Sequence, residues 1–321
     1  MRCNFANRRP WSVLLTALLA MPAWQSPSLA EDGSLQTTDV VLDAPLVIDA
    51  PLVIDAPIET SDISDAASAE EPQIEFGDWL GYNASQSQMS WLSGGDFGMF
   101  SLESLPSLKI GQESALLIGT GFHFLNGPAT PDLPPRLFDF QAACQVRKAF
   151  SQHTLLDVRL GVGAFSDFEG SARKGVRFPG HMVAYHELDT EFVSVFGVEF
   201  LDRDDISLLP VAGLVWKPHE DLVLEMIFPR PKVQMQLNDS SALYIGGELG
   251  GGTWAIERTG PFNDNVTYRD LRITCGVMHF GDSSDSVLEV GWAFDRSLEF
   301  RSHQGDQDLD GAFMLRSITH Y

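Results

Sequence analysis

The sequence predicts an all-β chain: a transmembrane antiparallel β-barrel of about twelve strands behind a disordered acidic N-terminal leader. Three observations carry this. The last strand ends on an aromatic residue, with Phe313, Leu315, Thr319 and Tyr321 on one face and Arg316 and His320 on the other. The same two-residue rhythm recurs over some two hundred residues upstream, in runs bounded by turn residues. The connections between runs alternate between short and long, as in barrels that have short turns on one side of a membrane and longer loops on the other.

From residue 113 the chain divides into runs at 113–124, 137–148, 153–165, 179–186, 191–200 and 206–216. Six more follow at 222–228, 231–237, 242–258, 268–280, 286–296 and 312–321. The runs 222–228 and 231–237 fall short of the ~9–11 residues that a tilted membrane strand needs. With the C-terminus in the periplasm, the inner turns are 149–152, 187–190, 217–221, 238–241 and 281–285. The outer loops include 125–136, 166–178, 259–267 and 297–311, with short exceptions at 201–205 and 228–231. A soluble β-sandwich has no reason to alternate in this way.

Side-chain phase agrees. Phe138, Phe140, Ala142, Cys144 and Val146 would face lipid while Asp139, Gln141, Gln145 and Arg147 face a lumen. In the next run Val158, Leu160, Val162 and Ala164 oppose Asp157, Arg159, Gly161 and Gly163. Around Phe228–Pro231 a hairpin that pairs Glu225 with Gln234 also pairs Leu224 with Met235 and Met226 with Val233, so one register satisfies both faces. Aromatic residues near strand ends, namely Phe122, Phe124, Phe138, Trp216, Trp254, Tyr268, Trp292, Phe294 and Tyr321, suit interfacial girdles.

The N-terminus reads as a signal peptide over residues 1–30: Arg2, Arg8 and Arg9, an apolar run from Ser12 to Trp24, and Ser28-Leu29-Ala30 as the cleavage site for general secretion. Beyond it no stretch approaches the ~18 consecutive apolar residues of a membrane helix. A membrane crossing therefore requires a closed barrel, the only sheet that leaves no backbone group unpaired in hydrocarbon. The net charge is −23, and loss of the three signal arginines makes the mature chain −26. That excess argues against nucleic acid as a partner, because phosphate binding needs clustered Lys and Arg. Cys144 and Cys275 are too few for a disulfide framework and take the outward, apolar phase.

Residues 31–75 carry twelve carboxylates and no Lys or Arg, a composition that cannot build a core. Within them Asp43-Ala-Pro-Leu-Val-Ile repeats from Asp49 and decays from Asp55, so proline every six residues dictates an extended linker. Its Leu-Val-Ile triplets could also dock a periplasmic partner by strand addition. Residues 76–112 hold Trp79, Tyr82, Trp91, Phe97 and Phe100 among Gly and Ser; they fit an early strand pair, a plug or an N-terminal extension.

Four segments together carry a resemblance: Leu209-Pro-Val-Ala-Gly-Leu-Val-Trp216-Lys-Pro218, Phe228-Pro-Arg-Pro231, Tyr244-x-Gly-Gly-Glu248-x-Gly-Gly-Gly252-x-Trp254-Ala-Ile256 and Tyr268-Arg-Asp270. Over roughly Asp78 to Tyr321 the chain resembles an uncharacterised family of bacterial proteins predicted to be outer-membrane β-barrels. The resemblance implies fold and location and transfers no catalytic residue or cofactor.

Several residues are candidates for chemistry. Asp306-Gln-Asp308-Leu-Asp310-Gly311 matches the first half of a Ca²⁺ loop, but Ser317 stands where the closing bidentate Glu belongs. The competing reading is a solvated acidic loop tip. Asp139, Arg147, Asp157, Arg159, Glu225, Lys232, Glu248, Arg272, Glu289 and Arg316 share the lumen phase. They would either line a pore and filter ions by sign or knit a filled interior. If the hairpin between the second and third runs is centred on Ser151, Gln145 faces Asp157 and Arg147 sits diagonal to it. Gly246–Gly252 lacks both phosphate-loop spacing and a following helix, so these glycines mark bends or room for a neighbouring aromatic. His181, His186 and Glu187 fall on a strand and its turn, not at the spacing of a helical zinc site. There is no Gly-x-Ser-x-Gly.

The sequence therefore points to an outer-membrane barrel, a narrow pore or a structural one, with lipid around it. Phe313 and Tyr321 would form the C-terminal signal read by the barrel-assembly machinery. A barrel hydrolase and a soluble, periplasmic or secreted ligand-binding β-sandwich remain the alternatives.

Overall fold

The computed structural model describes residues 85–321 apart from 112, 128–131, 261 and 282. The expected signal (1–30) and acidic leader (31–75) lie outside the described residues. Seventeen strand segments follow one another: β1 (Gln86–Leu92), β2 (Gly98–Leu105), β3 (Ser107–Lys109), β4 (Ser114–Asn126), β5 (Arg136–Ser151) and β6 (Thr154–Ser166). Next come β7 (Val176–Arg177), β8 (Gly180–Glu187), β9 (Phe192–Phe200), β10 (Leu208–His219), β11 (Leu222–Phe228) and β12 (Lys232–Asn238). The last are β13 (Ser241–Arg258), β14 (Phe262–His279), β15 (Asp285–Phe300), β16 (Gln307–Leu309) and β17 (Ala312–His320).

Fourteen of these pair antiparallel in chain order and close, because β1 pairs with both β2 and β17. The segments β3, β7 and β16 are short additions: β3 continues β2 past Pro106, β7 pairs along β6, and β16 pairs along β15. The ring therefore has fourteen staves, two more than the sequence predicted. All twelve expected runs are present, including the short β11 and β12. The additional pair is β1 and β2, so the described part of 76–112 belongs to the wall and is not a plug.

Closure leaves no edge and gives every stave one face outward. That face is apolar around the ring: Trp91, Leu102, Phe140, Leu160, Phe196, Ile245 and Ile273 are all exposed. Cys144 and Cys275 are also exposed and unbridged. Aromatics gather at two levels. At one, Phe122 meets Phe138 and Phe140 edge-on, and Trp91 meets Phe313. At the other, Phe192 stacks on Trp216, and Phe150 and Tyr321 are exposed at the same end of the barrel.

The loop asymmetry also holds. At the end that carries Ser85 and Tyr321 the turns are short: 110–113, 152–153, 188–191, 220–221, 239–240 and 280–284. At the far end they include 127–135, 167–175 and 301–306, the second holding a 3₁₀ turn at Ala172–Gly175. The segment 259–267 is not an open loop, however. The strand β14 begins at Phe262, so β13 and β14 form a long hairpin with one register from Ser241↔His279 to Arg258↔Phe262.

Two hairpin registers differ by two residues from those expected. Glu225 pairs with Lys232, not Gln234, and their side chains form an ion pair of 3.1 Å. Pro229 and Pro231 lack the N–H groups a tighter ladder would use. Arg147 faces Asp157 directly while Gln145 faces Arg159, because the β5–β6 turn shifts register between Ala149 and Ser151. A shift of two keeps every side chain on its face, so the inside and outside assignments survive.

Candidate functional site

Inside the ring the wall is charged. All ten residues of the expected lumen group take the inward phase, and most join three hydrogen-bonded groups. In the first, Asp157 accepts from Gln145 Nε2 (2.9 and 3.0 Å) and Arg147 Nε (2.8 Å) and lies 3.2 Å from His181 Nε2. In the second, Glu289 accepts from Tyr244 and Arg316; Arg316 reaches Glu248 at 2.7 Å, and Arg272 reaches the same Glu248 oxygen at 3.2 Å. The third joins Ser101 Oγ to His123 Nδ1 (2.8 Å) and His123 Nε2 to Asp139 (3.0 Å).

The second group lines a cavity of about 440 Å³ in the half of the barrel nearer the short turns. Arg159, Arg230, Lys232 and Arg316 line it together with Glu199, Glu225, Glu248 and Glu289. The charges lie in pairs, Arg230 with Glu199 at 3.0 Å and Lys232 with Glu225, so the cavity is polar without a strong net sign.

Toward the far end the interior turns apolar. Leu92, Phe97, Leu137, Trp254, Ile256, Val266, Tyr268, Leu298 and Phe300 form one buried cluster. Trp254 and Tyr268 are thus core residues and not part of an interfacial girdle. Their position follows from a bend shared by three strands. In β13 Gly251 has φ +99°, where a Cβ would overlap the Tyr268 carbonyl oxygen, so only glycine fits. At the same level β14–β15 pairing shifts between Arg269 and Leu271, and Asp295 has φ +50°.

Beyond this bend β13 and β14 cross the mouth. Ala255 pairs with Ser166 of β6, although β8, β9, β10, β11 and β12 separate those two strands around the ring. Trp254 Nε1 donates to Asp139 on β5 at 2.6 Å, and its ring meets His123 edge-on. Arg258 and the Thr259 N–H bind Asp132 in the β4–β5 loop at 3.2 and 2.6 Å. The edge of β13 left bare above the short β12 is covered by loops. Arg203 donates to Gly250 O, the Asp204 N–H to Thr253 Oγ1, and the Glu257 N–H to Asp167. Covering such an edge prevents pairing with another chain.

The contacts that hold the crossing segment at the far end are acidic. Hydrogen bonds from the Thr259 hydroxyl and N–H, with Arg258 behind them, hold Asp132 down at about 2. Burial pushes Asp204 up, but Arg301, Asn265 and Arg177 outweigh it and keep its carboxyl below the usual range. A depressed carboxylate stabilises the fold above its unfolded pKa, and that stability is lost as pH falls toward the folded value. The Asp132 latch should therefore loosen between about pH 4 and pH 2. Amide exchange of residues 252–268, corrected for intrinsic pH dependence, should rise across that window, and Asp132→Asn should show the same rise at pH 7. A flat profile in both would show that Asp132 does not hold the segment.

The structure does not bring Asp306, Asp308 and Asp310 together. Asp306 accepts from the Phe300 N–H and faces His303, Asp308 lies in β16 opposite Ser297, and the Asp310 carbonyl accepts from Arg296. Among the described residues no group of three His, Cys, Asp or Glu side chains could hold a metal ion. His181, His186 and Glu187 each have separate partners, Asp157, Thr154 and His153. Ser101, His123 and Asp139 stand in the order of a hydrolase triad, but Ser101 is 1% exposed on a laddered strand. Its neighbouring N–H groups serve the sheet and are not free to stabilise an oxyanion.

The sequence reading did not find the crossing segment. A signal was present: the inward phase of β13 runs Gly246, Glu248, Gly250, Gly252 and then changes to Trp254 and Ile256.

No family model matches the chain, and no curated protein sequence does. Solved structures similar to it include the NanC porin (8% identity, 74% of this chain and 99% of that one, TM-score 0.39). The KdgM porin is 4% identical over 74% and 98% of the two chains (TM-score 0.37). A bacterial polysaccharide outer membrane secretin is 10% identical over 74% and 98% (TM-score 0.35).

Proposed function

We propose that the chain is a bacterial outer-membrane β-barrel that serves as a pore, closed at its outer mouth in the state described. The observation that carries this reading is one closed ring with an apolar outer face and a charged cavity inside. A soluble β-sandwich would bury the residues that here stay exposed on every stave, and the closed ring leaves no second sheet to pack against. The short turns then face the periplasm, and the crossing hairpin lies at the outer surface. The strand β17, with Phe313 and Tyr321 outward, presents the end read by the assembly machinery. Four cations and four anions around the cavity give a weak preference for ion sign.

Conductance in planar bilayers tests the pore. A protein that shows heat-dependent gel mobility yet never conducts, with or without the crossing segment, would leave a structural barrel. Membrane orientation has its own test. Leu160 is 71% exposed on the outward face of β6. Leu160→Arg should cost about 2–4 kcal/mol in bilayer stability, since a cation at mid-depth loses its water. An unchanged urea midpoint in vesicles would place that face outside the hydrocarbon.

A further inference from the structure

We propose that the outer parts of β13, β14 and β15 form a lid, hinged at Gly250–Gly252 and Asp295, that swings out of the mouth to open the barrel. This rests on the pore reading and adds the moving part. Three observations support it. First, the bend is concentrated: Gly251 at φ +99°, the pairing shift at Arg269–Leu271 and Asp295 at φ +50° lie side by side across three strands. Strained positions of this kind are where a sheet changes direction.

Second, the segment keeps a continuous ladder of its own and is held to the facing wall mainly through side chains. Its hairpin ladder runs without a break from Gly251↔Arg269 to Arg258↔Phe262. Across to the facing wall there is one strand bridge, Ala255↔Ser166; the other holds include packing in the mouth cluster, hydrogen bonds to Asp139, Asp132, Asp167 and Asp204, and hydrogen bonds from Arg203 and Ser171. It can move as a unit by breaking those contacts while keeping its own ladder.

Third, the hinge is tied to the cavity. Tyr244, Glu289, Arg316, Glu248, Arg272 and Asp270 follow one another in hydrogen-bond contact. Asp270 accepts from Tyr268 (2.7 Å), Tyr268 from Arg296 (3.0 Å), and Arg296 clamps the carbonyls of Phe97 and Asp310 at 2.7 and 2.6 Å. The chain of charges therefore starts in the lumen and ends at the rim that the lid rests on.

The test uses three proteins in planar bilayers, each first checked for heat-dependent gel mobility. In one, Ser166→Cys and Ala255→Cys are added after Cys144→Ala and Cys275→Ala; neighbouring strands lie roughly 4.8 Å apart, within disulfide reach. In another, residues 252–268 are replaced by an Asn-Gly turn joining Gly251 to Arg269. The third is the wild type. The expected result is a silent oxidised pair, openings restored to wild-type frequency by dithiothreitol, and steady conductance at least tenfold above wild type in the shortened protein. Equal conductance in oxidised and reduced protein would overturn the lid while leaving the pore. A shortened protein that conducts beside a reduced pair and wild type that never open would make the segment a fixed plug and overturn the hinge. A folded shortened protein that does not conduct would overturn the pore itself.

Discussion

Arg316→Leu should destabilise the barrel by about 3–5 kcal/mol, the cost of leaving buried charge unmatched. Arg316 is the cation shared by Glu248 and Glu289, and Glu289 is only 3% exposed. Its removal leaves Arg272 as the ion-pair partner of Glu248 and the Tyr244 hydroxyl as the hydrogen-bond partner of Glu289. The size of the loss comes from asymmetry: a matched pair contributes little beyond its own desolvation, whereas a stranded carboxylate keeps the whole penalty. Adding Glu289→Met should therefore recover a large part of the loss. The temperature at which the gel-mobility shift disappears, together with urea unfolding in vesicles, reads both proteins. A single variant within about 1 kcal/mol of wild type would mean that water from the cavity solvates the site as well as Arg316 does.

Trp254→Ala should be as costly but confined to one place. Removing a buried tryptophan from a packed cluster costs about 3–5 kcal/mol. Trp254 is 5% exposed, donates to Asp139, and packs with Ile256, Tyr268 and Phe300 at the mouth. The closed ring of staves does not depend on that cluster, so the loss should appear as local opening. Amide exchange over residues 251–270 should rise by a hundredfold or more while the heat-dependent mobility of the barrel stays at its wild-type temperature. If the whole barrel melted earlier instead, mouth and wall would be one cooperative unit and a separate lid would have no physical basis.

Much of this architecture was legible in the sequence because a barrel wall is written in one simple rule. Alternation placed Phe140 outside and Asp139 inside, and it set the phase of the charged residues from Asp139 to Arg316, even where two hairpin registers were off by two. The first two staves stayed one of three readings of 76–112 for a physical reason. In β1 the inward residues are Gln86, Gln88 and Ser90, and the outward ones begin with Ser87, so only Met89 and Trp91 mark the membrane face. In β2 the ladder is interrupted at Pro106 before it resumes in β3.

The lid was hidden by the same rule that revealed the wall. Past Gly252 the strand buries both faces, and Thr253, Trp254, Ala255 and Ile256 are all covered. Two-faced burial erases the polar and apolar contrast on which a barrel strand is recognised. The loop-like spacing at Asp306–Asp310 likewise concealed a pairing: β16 runs along β15 and makes Asp308 a ladder residue.

The short staves β11 and β12 also set a demand on the surrounding lipid. Each has seven residues, and above them the outer part of the wall is closed by the charged loop with Arg203, Asp204 and Asp205. On that flank the hydrocarbon-facing band is lower than beside β4 and β5 across the ring, which have thirteen and sixteen residues. A bilayer adjusts to such a mismatch by thinning at a cost of fractions of a kcal/mol per Å. The barrel should therefore sit in a lopsided annulus, thin beside β11 and β12 and thicker on the opposite flank. Shorter-chain lipids and other low-walled barrels would collect against the thin side, giving the molecule a preferred neighbour without any protein contact.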